Sequence, residues 1–163
     1  MDRAKITQIL QRLSHHIGGD WLLVGGALVQ IEIDGTRATE DVDLAFMGHP
    51  SKSLNFLQDE LFQYSLSKLK VGPESLNLAV SFFLNQIPDW HKECHLLLSG
   101  PVGNIYRPSL TLFIALKLNR ASSIDLQDIK LALKKFPNSE LNEEKLKKWV
   151  NSDKFNVYLK NKN

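Results

Sequence analysis

Two aspartates one residue apart, Asp41 and Asp43, follow Arg37 and Thr39 in the stretch Thr36-Arg37-Ala38-Thr39-Glu40-Asp41-Val42-Asp43-Leu44. Val42, Leu44 and Phe46 alternate with them, which predicts a strand over 41–46 with the apolar side chains on one face and both carboxylates on the other. Twice the rise per residue places those carboxylates about 7 Å apart. Two ionised carboxylates so close raise one another's pKa or bind a cation. A hard divalent ion, above all Mg²⁺, is the usual partner when a phosphate completes the coordination shell. Arg37 adds a bidentate cation and Thr39 a hydroxyl, both suited to holding phosphate oxygens or to ordering the loop.

The elements before this stretch must position it. Trp21-Leu22-Leu23-Val24 is a continuous apolar run that stops at Gly25-Gly26, which predicts a buried strand ending where the backbone takes positive φ or comes close to something. A short helix is expected over Ala27–Asp34, with Gly35 to end it. The N–H groups that open such a helix suit an anion, so metal and phosphate would meet at the Gly-Gly turn. Alone, an Asp-x-Asp is most often a solvated strand end and a Gly-Gly pair merely a turn. The order strand, Gly-Gly, short helix, Arg-x-Thr-x-Asp-x-Asp is what points to a site.

Gly25-Gly26 followed by Arg37-Ala38-Thr39-Glu40-Asp41-Val42-Asp43-Leu44 resembles the signature of the DNA-polymerase-β-like nucleotidyltransferase superfamily. The form is that of small bacterial members related to abortive-infection and toxin–antitoxin nucleotidyltransferases. The strong part of the likeness covers about one seventh of the chain. It implies that Gly25 and Gly26 cradle a nucleoside triphosphate and that Asp41 and Asp43 hold two Mg²⁺ ions; Arg37 and Thr39, by their own chemistry, would join the phosphate cradle. It also implies a third carboxylate, on a later strand, that helps activate the acceptor hydroxyl. Here the sequence departs from the pattern. Leu76–Leu84, read as that strand for its β-forming residues, contains no acidic residue; the nearest are Glu74, Asp89 and Glu93, and Asn77 or Ser81 would occupy the place. Neither an amide nor an unactivated hydroxyl serves well as a general base. The base then comes from one of those acids, the metal alone activates the acceptor, or the chain binds nucleotide without turning it over.

The resemblance extends more loosely to Lys117 and the Asp125-Leu126-Gln127-Asp128 run, where related transferases carry a Lys helix and an Arg-Asp-x-x-Asp stretch. Ile124 stands where Arg is usual, and Arg120 is near enough to substitute. By resemblance Lys117 reaches the triphosphate while Asp125 or Asp128 holds it and the helix pair in place. The residues alone equally suit an N-capping Asp125 and a surface lysine.

At 163 residues and 43% apolar, the chain is expected to form one domain, an α/β core over about 1–106 with a helical part over 107–163. The core is a small mixed sheet flanked by helices, its strands drawn from the Trp21, Val42, Leu78 and Leu96 regions. Helices are expected over Asp2–Ile17, from Ser51 or Ser53 to about Ser67, over Leu110–Leu118, over Asp125–Phe136 and from Asn142 on. The adjacent His15 and His16 point about 100° apart on a helix and are poorly placed to chelate one ion. No apolar run approaches membrane-spanning length, no signal-peptide stretch opens the chain, and Cys94 has no disulfide partner, so the cytoplasm is the expected location.

The net charge of +2 is uneven, with residues 130–163 carrying 9 Lys against 4 Asp and Glu. Such an end attracts nucleic-acid phosphates or is simply a solvated helix face. The leading expectation is transfer of a nucleoside monophosphate from an NTP to a hydroxyl on protein, RNA or a small molecule. A toxin–antitoxin or phage-defence setting would fit it. The alternative is a catalytically degenerate module that binds nucleotide or a protein partner.

Overall fold

The computed structural model describes residues 1–162, and in it Trp21, Leu22 and Leu23 are fully buried in the middle of β1 (Gly19–Val24). β2 (Val42–Gly48) runs antiparallel to β1 and pairs Leu44 with Leu23 and Asp43 with Val24. β3 (Leu76–Asn77) is a two-residue parallel neighbour of β2 that aligns Asn77 with Asp43. β4 (Cys94–Ser99) and β5 (Gly103–Pro108) complete the sheet in the order β3-β2-β1-β5-β4, with β5 parallel to β1. The chain is thus a mixed α/β fold with a five-stranded mixed sheet and helices at its C-terminal end.

Two compact units can be distinguished. The first comprises Met1–Ser81 and His95–Arg107. It contains the sheet with α1 (Arg3–Arg12), α2 (Gly25–Leu28) and α3 (Leu54–Tyr64). Asp2 caps α1 by accepting the Lys5 N–H, and Ser53 caps α3 by accepting that of Phe56. Each of the three helices runs on into a wider π-helical turn, over Leu13–Ile17, Val29–Ile33 and Ser65–Leu69. Ile6, Ile9, Leu13, Leu57 and Leu61 are fully buried from these helices, as the helical spacing of the apolar residues requires.

The second unit takes Phe82–Cys94 and the chain from Pro108 on. The short α4 (Ser81–Leu84) opens its first segment. Its other helices are α5 (Leu110–Arg120), α6 (Ser123–Lys135), α7 (Glu143–Trp149) and α8 (Ser152–Asn161). Phe113 of α5 meets Phe136 edge to face at 6.2 Å. The Thr111 hydroxyl donates to the Glu140 carbonyl at 2.8 Å and accepts the Asn142 N–H at 2.8 Å, fastening the loop before α7 to α5. The Tyr158 hydroxyl donates to Glu143 at 2.7 Å, tying α8 to α7.

Three sequence expectations need correction. The strand expected over Leu76–Leu84 stops at Asn77, whose Oδ1 accepts the Ala79 N–H and turns the chain; Ser81–Leu84 is helical, and Phe82 and Phe83 are exposed. A fifth strand, β5, adds to the four expected regions; only Gly103, Ile105 and Pro108 are buried along it, too slight an apolar signal to find. The helix expected from Ala27 begins at Gly25, so both glycines belong to its first turn.

Candidate active site

Asp43 lies on β2 between Val24 of β1 and Asn77 of β3, and its carboxylate meets groups from two neighbouring elements. The first is Gly25, which follows β1 and opens α2. Its φ is +67, and a β-carbon built on it would lie 1.8 Å from Asp43 Oδ2. Glycine is therefore required twice, for the left-handed backbone and for the space. The second group is Asn77, whose Nδ2 donates to Asp43 Oδ1 at 2.7 Å. The preceding loop meets the next glycine instead. A β-carbon on Gly26 would lie 2.6 Å from Thr39 Oγ1, and that hydroxyl donates to the Asp41 carbonyl at 3.0 Å with Asp41 Oδ1 3.5 Å away.

Gly25, Gly26, Thr39, Asp41 and Asp43 thus form one cluster at the end of β1 and the start of β2. Asp41, Asp43, Thr39 and the two glycines are all half-buried, so the polar groups are within reach of solvent and of a ligand. Arg37 belongs to the loop that leads into the cluster. Its guanidinium donates to the Ala38 carbonyl, and its backbone N–H bonds the Asp34 carbonyl at 3.0 Å. That loop is ordered from its own start: Asp34 Oδ1 accepts both the N–H and the hydroxyl of Thr36, at 2.9 and 2.7 Å. Those hydrogen bonds hold the Asp34 carboxyl below its ordinary value.

Asn77 is one of the two residues offered for the place of a third carboxylate, and it bonds Asp43. That bond distinguishes it from Ser81, which lies beyond the turn at the start of α4. Among the described residues no cluster of three His, Cys, Asp or Glu side chains is placed to hold a metal ion. The acids named as candidates have other engagements. Glu74 sits exposed in the turn before β3 and folds back over Gly72. Asp89 pairs with Lys92 at 3.3 Å, and Glu93 accepts from Lys145 at 2.5 Å and from the Ser109 hydroxyl at 2.8 Å.

The oxygen donors of Asp41 and Asp43 fit a hard divalent ion. Mg²⁺ in particular is usually held by one or two carboxylates, with waters and substrate phosphates making up the octahedron.

Lys117 forms a separate centre in the second unit. It is 7% exposed, and its Nζ lies 2.6 Å from Asp128 Oδ2 and 3.3 Å from Asp125 Oδ1. Arg120 donates to Asp125 through Nε at 2.7 Å and through its terminal nitrogen at 2.9 Å, a two-point contact made from α5. Ser122 caps α6 and shares a capping box with Asp125, so Asp125 occupies the third helical position and Ser122, not Asp125, is the cap. Burial alone would push the Asp125 carboxyl up. The hydrogen bonds from Arg120 and Ser122, with the Lys117 charge, outweigh it and hold the group well below the usual carboxylate range.

A scan against protein-family models and searches of curated proteins and of solved structures found no match to this chain.

Proposed function

We propose that the chain is a Mg²⁺-dependent nucleotidyltransferase that moves a nucleoside monophosphate from an NTP to a hydroxyl acceptor on protein, RNA or a small molecule. The observation that carries this reading is the contact of the Gly25-Gly26 turn with Asp43 and Thr39. It packs the turn that opens α2 against one carboxylate and one hydroxyl, and that hydroxyl also bonds Asp41. Phosphate binding needs the turn and the hydroxyl, and metal binding needs the carboxylates.

In this reading Asp41 and Asp43 hold Mg²⁺, which offsets charge on the attacked phosphorus and the departing pyrophosphate. Gly25 and Gly26 bring the backbone to the phosphates, and Thr39 and Arg37 complete the cradle. The resemblance assigns Lys117 to the triphosphate. Its two aspartate partners give it a first task of tying α5 to α6.

Calorimetric titration of the four NTPs, with and without Mg²⁺, into wild type and Asp43→Asn tests the site. Binding that requires both the metal and Asp43 is expected, with the fold unchanged in the variant. Binding that survives Asp43→Asn or ignores Mg²⁺ would remove the basis for the reading.

A second reading is favoured by Asn77, which offers an amide where a base would stand. The chain is then a nucleotide-binding module without turnover, acting through a protein partner such as the other member of a toxin–antitoxin pair. Incubation with labelled NTP and cell extract separates the two: label transferred to an acceptor supports the enzyme, and Mg²⁺-dependent binding with no transfer supports the module.

A further inference from the structure

Asn77 is held at both ends of its amide. Nδ2 donates to Asp43 Oδ1 at 2.7 Å, and Oδ1 accepts the Ala79 N–H at 3.0 Å. Turning the amide over would set its oxygen against a carboxylate oxygen and its NH₂ against an N–H, losing both bonds. What Asn77 presents to Asp43 is therefore a donor, and its one oxygen able to ligate a metal is committed to the backbone. Its register is also fixed, because β3 pairs with β2 at Val42–Leu76 and Asp43–Asn77.

A carboxylate in the same place would behave differently. It would set a second negative oxygen at hydrogen-bond distance from Asp43, an arrangement that shares a proton or takes up a further cation, the cation prevailing where divalent metal is in excess at neutral pH. The neutral amide removes that demand and steadies Asp43 instead.

Resting on the metal site proposed above, we infer that Asn77 is a positioning residue that fixes the Asp43 carboxylate and restricts the Asp41–Asp43 pair to a single divalent cation. The site then holds the ion that accompanies the nucleotide phosphates and no second ion beside the acceptor.

The test is the number of Mn²⁺ ions bound per chain, read by electron paramagnetic resonance with the metal alone and counted as those lost in Asp43→Asn. Wild type binds one and Asn77→Asp binds two. Asn77→Ala still binds one, about tenfold more weakly, as expected on losing a group that orients a ligand. Two ions in wild type overturn the inference while leaving the site standing. So does a single ion in an Asn77→Asp chain with native circular dichroism, or unchanged affinity in Asn77→Ala. Failure of wild type to bind any ion that depends on Asp43 overturns the metal site itself.

Discussion

Gly25 and Asp43 meet without room for a β-carbon: one built on Gly25 would stand 1.8 Å from Asp43 Oδ2 and 2.8 Å from its Cγ. The contact joins the end of β1 to the start of β2, and the ladder that pairs Val24 with Asp43 leaves neither strand free to slide. The position of the carboxylate is thereby set by backbone, which is how a site keeps its geometry without a ligand.

Gly25→Ala should therefore harm both stability and binding. The left-handed backbone alone costs about 1–2 kcal/mol with a β-carbon present. The clash adds to this by driving Asp43 from its place. A fall in the urea midpoint and at least a tenfold loss of Mg²⁺–NTP affinity are expected. Gly26→Ala meets the movable end of Thr39 at 2.6 Å and has no positive φ, so its effect on stability should be smaller. Equal affinities in Gly25→Ala and wild type would show that the turn does not shape the site.

Much of this arrangement could be read before the fold was known, because local pattern and local structure agree there. The Trp21–Val24 run, the Gly-Gly stop and the alternation through Val42 and Leu44 each specify an element, and pairing of adjacent strands does the rest. What the sequence hid depends on distant partners. Asn77 lies 34 residues from Asp43, and nothing in Leu76–Leu84 tells a strand from a two-residue bridge that turns at an Asn. The contact of Arg120 with Asp125 was easier to find, since the two are five residues apart across a tight junction between helices.

The Lys117 centre yields a stability prediction of its own. Lys117→Met leaves Asp125 and Asp128, each 1% exposed, without the charge between them. Breaking a buried ion pair from one side costs about 3–5 kcal/mol. Arg120 still serves Asp125, so the lower end of that range is expected. Urea unfolding of Lys117→Met, compared with Lys117→Met/Asp128→Asn, measures it: the second change should recover part of the loss. A double variant less stable than the single one would mean that the pair is not held by charge.

Acid should weaken the same centre. The folded Asp125 carboxyl lies well below its unfolded value of about 3.9. Its contribution is therefore complete above that pH and is lost as pH falls through the range between the unfolded and folded values. Glu143 is lowered as well, by the hydrogen bonds from Lys162 and Tyr158, and acts in the same direction. Urea midpoints should hold steady from pH 7 to 5 and drop below pH 4. In Asp125→Asn the midpoint starts lower at pH 7 and falls less on acidification. A fall as steep as in wild type would place the acid sensitivity elsewhere.

Cys94 should be a slow thiol. Burial first, and the Glu93 charge second, push it up to about 12, and its Sγ donates to the Trp90 carbonyl at 3.6 Å. At pH 8 the thiolate fraction is then on the order of 10⁻⁴, and the thiolate is the species that alkylates. Iodoacetamide should react with the native chain at least a hundredfold more slowly than with the chain in urea. Glu93 is itself held by Lys145 and Ser109, and its charge ranks below burial. Glu93→Gln should therefore speed alkylation less than unfolding does. A Glu93→Gln rate equal to that in urea would reverse the order of the two causes and make the neighbouring charge, not the buried setting, the guard of the thiol.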